Sequence, residues 1–234
     1  VENRRSPVAG TLFAELLAKD GVESLPASAL KILEGTLRVL GGRGLSDLSI
    51  ESICKVSRVS RATLYRYFST KDDLLEAVGE FICRGFEDGI TAEAARHDDP
   101  TARFAAVMCF LARYTAERGL IRIFEADPSF HLVFFRSHFA RQETAVRAAL
   151  DPVFDMLEAR DGLAVDRSAS AQRLIRLQMS RLLIPFDDGW SAAWDRAVVD
   201  AGKVMHHWIV AQPATLDNMK KLESADGDRD RSRD

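Results

Sequence analysis

Apolar residues along the chain recur at spacings of three and four, and alternation of the strand kind is scarce, so the pattern predicts helices throughout. Val8, Leu12, Phe13, Leu16 and Leu17 mark a short amphipathic helix over 8–20. Leu30, Leu33, Leu37 and Leu40 form the next stripe, which the Gly41-Gly42 pair is expected to stop. Two short pieces follow, 49–56 and 60–68, and then a longer helix from Lys71 to Ile90. Asp98-Asp99-Pro100 breaks the chain ahead of a stripe through Phe104, Val107, Met108, Leu111 and Tyr114. A long helical pattern runs from Pro128 to Leu157, with Pro152 as either a kink or the first residue of a new helix capped by Asp151. Helices over 167–186 and 190–212 complete the set, and the mixed-charge end from Glu223 is expected to be disordered. The predicted class is all-α, with short helices in front and long ones behind.

The front part has the layout of a helix-turn-helix. Ser49 is placed to cap a first helix with Ile50 and Ile53 facing inward, and Ser60 to cap a second. Two short helices joined by Ser57-Arg58-Val59 cross steeply rather than run antiparallel. On the second helix Leu64 and Phe68 fall together toward the core. The opposite face then carries Ala62, Thr63 and Arg66, with Tyr65 and Tyr67 on its flanks and Arg61 in the first turn. Small residues, a hydroxyl and an arginine suit a major groove: Arg can bond guanine in bidentate fashion and Thr can meet a base edge or a thymine methyl. Tyrosine hydroxyls on the flanks suit phosphate oxygens.

Charge changes the picture. The 234 residues hold 32 Lys+Arg and 35 Asp+Glu, a net −3 that argues against a nucleic-acid partner. Yet Ser52 to Lys71 contains Lys55, Arg58, Arg61, Arg66 and Lys71 and no acid, a local +5, so the remainder carries −8, the difference between −3 and +5. A local basic grip on an acidic background favours site-directed over indiscriminate DNA binding. Lys71 opens the following helix, where its ammonium and free N–H groups could hold phosphate.

The stretch Leu30 to Leu75 resembles the DNA-binding domain of TetR-type (TetR/AcrR) repressors. ThrLeuTyrArgTyrPhe at 63–68, then Lys71 and Leu74-Leu75, carry most of the likeness, together with Val59-Ser60 and the capped helix of Ser49, Ile53 and Lys55. Ser57-Arg58 stands where the family usually has Ala-Gly, so Arg58 must adopt a turn conformation that Gly takes easily, or the turn shifts. Cys54 stands where Ala is common. The resemblance implies a three-helix DNA-binding domain over 27–75 and a helical-bundle domain for effector binding and dimerisation over 76–215; residues 1–26 are an extension ahead of the family's usual first helix, and 216–234 a tail expected from its charge to be disordered. DNA contacts are expected from Ser49, Lys55, Ser60, Arg61, Ala62, Thr63, Tyr65, Arg66, Tyr67 and Lys71.

For the back part, nine phenylalanines between Pro100 and Trp190 are compatible with an apolar ligand cavity as well as with ordinary packing. Phe104, Met108, Tyr114, Phe130, His131, Phe134 and His138 are the candidate lining, and Arg136 a further polar group among the aromatics. Leu182, Trp194, Ala201, Met205 and Trp208 are the candidate dimer seam. The expected partners are a palindromic double-stranded operator, a small-molecule effector and a second copy of the chain.

Other chemistry finds little footing. Three cysteines without a CxxC pair argue against a disulfide scaffold or zinc module and fit a reducing cytoplasm. His206-His207 point about 100° apart on a helix, a poor metal pair. Asp72-Asp73 sit in a helix's first turn, where the dipole favours acids, and no second acidic cluster matches them. No apolar run approaches the ~20 residues that span a bilayer. No metal or cofactor is expected. The rival reading is an all-α small-molecule-binding protein or enzyme with an incidental helix-turn-helix.

Overall fold

The computed structural model describes residues 25–117, 120–162 and 164–183, and these form eight helices with no strand among them. The predicted helices over 8–20 and 190–212, the N-terminal arm and the charged tail lie outside the described residues.

Helix α1 (Ala27–Arg43) buries Ala29, Ile32, Leu33, Gly35, Thr36, Val39 and Leu40, a face wider than the leucine stripe. It does not stop at Gly41-Gly42. The helix runs through both and ends at Gly44, whose φ of 73° and ψ of −174° lie in a region open almost only to glycine. Gly41 is packed against another helix: a Cβ there would lie 3.4 Å from the Arg122 Cβ, an ordinary contact distance.

Helix α2 (Ile50–Ser57) and helix α3 (Arg61–Tyr67) follow, then helix α4 (Lys71–Ala95). Each has its N-cap in place, Ser49, Ser60 and Thr70 accepting from the N–H three residues on. At Ser49 and Thr70 the third residue returns the bond, closing a capping box. Gly35 of α1 lies so close to α2 that an added Cβ would stand 2.8 Å from the Ser57 Cβ. Helix α4 crosses residue 75, so the front and back parts share one continuous rod.

Helix α5 (Pro100–Glu117) starts at its proline, with the Asp99 carboxylate accepting from the Ala102 N–H at 2.7 Å. A seven-residue helix α6 (Leu120–Ala126), which the sequence pattern does not predict, comes next. Helix α7 (Pro128–Asp161) contains Pro152 and remains one helix, so Asp151 caps nothing. Its carboxylate takes part instead in a trio with Asp155 and Glu158 around the Arg167 guanidinium, at 3.2, 2.7 and 2.6 Å. Arg167 begins helix α8 (Arg167–Leu183), and so ties it back along α7.

A single apolar core joins the front helices to the back ones, from Ile32, Leu33 and Phe68 through Phe104 and Leu111 to Phe154 and Ile175. Arg141 of α7 clamps two acids of α4: its Nη1 sits 2.7 Å from Glu80 Oε1, and its Nε and Nη2 engage Glu87. A second seam runs through Asp127. Its Oδ1 accepts from the Phe130 N–H at 2.9 Å, capping α7, while Oδ2 accepts from the Leu45 N–H at 3.3 Å. The turn after α1 is thus tied to the junction of α6 and α7.

Candidate nucleic-acid interface

The site is built on two short helices held at a fixed crossing by buried anchors. Ile53 of α2 and Leu64 of α3 are fully buried, as is Phe68 just beyond α3. At 100° per residue, that leaves the far side of α3 to face outward. Arg61, Ala62, Tyr65 and Arg66 are exposed there, and Thr63 and Tyr67 are half-buried at its margins. Ser49, Lys55 and Ser60 are exposed and Lys71 is half-buried at the start of α4. Each of the residues expected to contact DNA has at least part of its side chain open to solvent.

The turn settles the departure from the family pattern. Arg58 takes the left-handed conformation, φ 56° and ψ 41°, and its N–H donates to the Cys54 carbonyl. It is the one non-glycine residue with positive φ among the described residues. The turn keeps its shape and a side chain bears the cost, of order 1–2 kcal/mol.

Within α3 the polar groups are partly committed. The Ser60 and Thr63 hydroxyls lie 2.9 Å apart while Ser60 also accepts from the Thr63 N–H, so this pair serves the cap first. The Arg66 guanidinium lies over the Tyr67 ring, 5.1 Å from its centroid, with an Nη2–hydroxyl distance of 3.4 Å. Tyr67 packs in turn beside Phe68. An arginine stacked on a half-anchored ring has fewer conformations to lose when it bonds a base.

Charge reading by sequence window missed one participant. Glu51, one residue outside the basic stretch, has its carboxylate 3.6 Å from the Arg61 guanidinium. The spacing of ten residues carries no helical signal; only the crossing of α2 and α3 brings the two together.

The expected ligand-lining residues fall into two neighbourhoods. Tyr114 packs edge-on to Phe86 at 5.3 Å and donates its hydroxyl proton to the Ile82 carbonyl at 2.6 Å, with Phe104 and Met108 buried along the same helix. His131, Phe134 and His138 lie together on α7, with His138 Nδ1 2.9 Å from the Phe134 carbonyl. Gly79 of α4 lies against them, 3.5 Å from Phe134 and 3.8 Å from His138 at its would-be Cβ. Phe130 is half-buried and Arg136 is exposed. His131 is buried between Phe124 and Phe135, and its Nε2 has no hydrogen-bond partner among the described residues. Burial without compensation lowers its pKa to about 4, so the ring is neutral at pH 7. An open groove of about 500 Å³ lies elsewhere, between α4 and α5, lined by Glu93, His97, Ala102, Ala105, Ala106, Cys109 and Arg113. It contains none of the expected lining residues. Of the expected dimer seam, Trp194, Ala201, Met205 and Trp208 lie outside the described residues, as does the side chain of Leu182.

Likeness to known proteins agrees with this geometry. Residues 32–78 match the family described as bacterial regulatory proteins, tetR family. The HTH-type transcriptional regulator BetI of Brucella anthropi is 27% identical over 184 residues, covering 68% of this chain and 94% of that protein. Among solved structures, a TetR transcription regulator from Haloarcula marismortui aligns with a TM-score of 0.59 at 23% identity, over 78% of this chain and 98% of that one. AibR, solved with isovaleryl coenzyme A and operator DNA, aligns with a TM-score of 0.51 at 19% identity, over 73% and 96%.

Proposed function

We propose that the chain, whose residues 32–78 match the tetR family of bacterial regulatory proteins and which is similar to the regulator BetI over most of its length, is a DNA-binding transcriptional regulator of that family rather than an enzyme, a cytoplasmic homodimeric repressor released from a palindromic operator by a small-molecule effector. The observation that carries the DNA side is the division of α3. Leu64 and the adjoining Phe68 are wholly buried, while Arg61, Ala62, Tyr65 and Arg66 face outward in one arc. That arc fits a major groove, where Arg66 and Arg61 meet base edges and Tyr65 a phosphate. Lys55, Tyr67 and Lys71 flank it, and Ser49, Ser60 and Thr63 set the helix starts from which the contacts are made. A dimer would present two such helices to successive half-sites one helical turn apart.

For the effector, the neutral unpaired Nε2 of His131 within the rings of Phe124 and Phe135 supports an apolar ligand bearing one hydrogen-bonding group. Phe130, Phe134 and His138 would line the same side, and Phe104, Met108 and Tyr114 the opposite one. No helix among the described residues is long and apolar enough to cross a membrane.

The test is a gel shift with the intergenic DNA beside the protein's own gene, repeated across a salt series. Retardation of one fragment that survives competitor DNA, with affinity falling steeply as salt rises, is the expected result. Equal retardation of all fragments, or none at low salt, would overturn the reading. Sedimentation of the free protein tests the dimer.

A further inference from the structure

We infer that Glu51 and Arg61 together read a single G·C base pair in each operator half-site, Arg61 donating to guanine and Glu51 accepting from cytosine. The inference rests on α3 being the helix that enters the groove. It starts from an acid where none is wanted for affinity. DNA binding of this kind gains from phosphate neutralisation, and each carboxylate beside the contact surface works against it. Glu51 is such a group: it sits in the first turn of α2, and its carboxylate lies 3.6 Å from the guanidinium of Arg61, the first residue of α3.

The dipole of α2 favours an acid in its first turn, but that does not call for a pairing with Arg61. The two side chains are 82% and 66% exposed, and ion pairs of that kind contribute little. The start of α2 is already capped by the reciprocal Ser49–Ser52 bonds. The crossing of α2 and α3 is held from beneath by Ile53 and Leu64, both fully buried. What remains is an outward-facing unit with donors on one side and an acceptor on the other.

A G·C pair presents the complement of that unit. In the major groove guanine offers N7 and O6 as acceptors, and beside O6 the paired cytosine offers its N4 amino donor. Arg61 alone would select guanine. Glu51 adjoining it adds the cytosine donor and, by charge, keeps the guanidinium from wandering to a phosphate. An A·T pair at the same step sets a thymine O4 acceptor and methyl group against the pair, and a carboxylate facing a carbonyl is repelled.

The experiment is selection from a random DNA pool with the full chain, carrying Glu51→Ala, Glu51→Gln, Arg61→Ala, Arg66→Ala or the Glu51→Ala/Arg61→Ala pair. The unsubstituted chain should require one G·C pair at a symmetric position of each half-site. Glu51→Ala and Arg61→Ala should each relax that position by about tenfold, the double variant should fall no further than the worse single, and Arg66→Ala should relax a different position. Glu51→Gln, which can still accept a hydrogen bond but bears no charge, should retain part of the preference. Tighter binding of Glu51→Ala to every sequence alike would reduce Glu51 to phosphate repulsion and overturn the inference. A lowered Tm with unchanged base preference would reduce it to helix-end charge, and relaxation at different positions for the two single variants would also overturn it. If the unsubstituted chain selects no sequence, the groove-entering role of α3 falls and this inference with it; the other outcomes leave that role standing.

Discussion

Arg58 isolates what a single backbone conformation costs. Its left-handed φ of 56° closes the tight turn between α2 and α3. Relieving the Cβ clash with glycine is worth about 1–2 kcal/mol, while the freer unfolded chain takes back about 0.4–1 kcal/mol. Arg58→Gly should therefore raise stability by somewhat under about 1 kcal/mol, readable as a Tm increase of a few degrees. A drop in Tm would mean that the arginine makes compensating contacts. Arg66→Ala belongs to the same scale: it should lower operator affinity by about 1–3 kcal/mol and relax one base position. His131 adds a pH dependence. Its pKa is about 4 in the folded chain against an ordinary 6.5, so below pH 6.5 the unfolded state takes up the proton first. Stability should be complete above pH 6.5 and decline as pH falls toward 4, by up to about 1.4 kcal/mol per unit. His131→Leu should flatten that part of a denaturation-versus-pH curve.

At the scale of elements, the sequence is most legible where structure is decided locally. Ser49 and Ser60 cap what their positions announce, and Leu64 and Phe68 bury as their spacing requires. Helix α6 is another matter. It is no shorter than α3, but no Ser, Thr, Asp or Asn just before it announces a start, and its place depends on α1, about eighty residues earlier in the chain. Gly41-Gly42 misleads for the same reason: glycine reads as a stop, but at Gly41 the helix packs against Arg122 and Ile123 and continues. Pro152 fails to split α7, where Val153, Phe154 and Leu157 in the following turn are fully buried and hold the helix through the missing hydrogen bond. The join between α4 and α7 turns on Arg141. Arg141→Met should destabilise the chain by roughly 2–4 kcal/mol, because Glu80 loses its cation while half-buried and Glu87 keeps only the longer pairing with Arg84 at 3.8 Å. The triple change with Glu80→Gln and Glu87→Gln should recover much of that loss in a urea titration.

At the scale of the molecule, net charge and its distribution speak to different questions. The overall −3 bears on solubility, while five cations between Ser52 and Lys71 set a local positive field suited to DNA. Lys71→Ala should weaken binding to all sequences alike and reduce the salt slope by about one unit, measured by titrating DNA at several salt concentrations. Glu51 was hidden from that arithmetic because a charge sum over a window cannot see across a helix crossing.

The double grip of Asp127 bears on how the protein can be cut and recombined. One carboxylate oxygen starts α7 and the other holds the turn after α1, 82 residues away. Gly44 has room there only because it lacks a side chain, its would-be Cβ standing 3.0 Å from the Ala126 carbonyl. The front helices are thus half of an interlock, not a detachable cassette. A fragment ending at residue 75 should melt without a cooperative transition by circular dichroism. A chimera that grafts residues 27–75 onto another core should fold only if that core brings its own counterpart to Asp127 and to the close approach at Gly44. The natural unit of exchange between such proteins is then defined by the interlock rather than by the linear boundary of the motif.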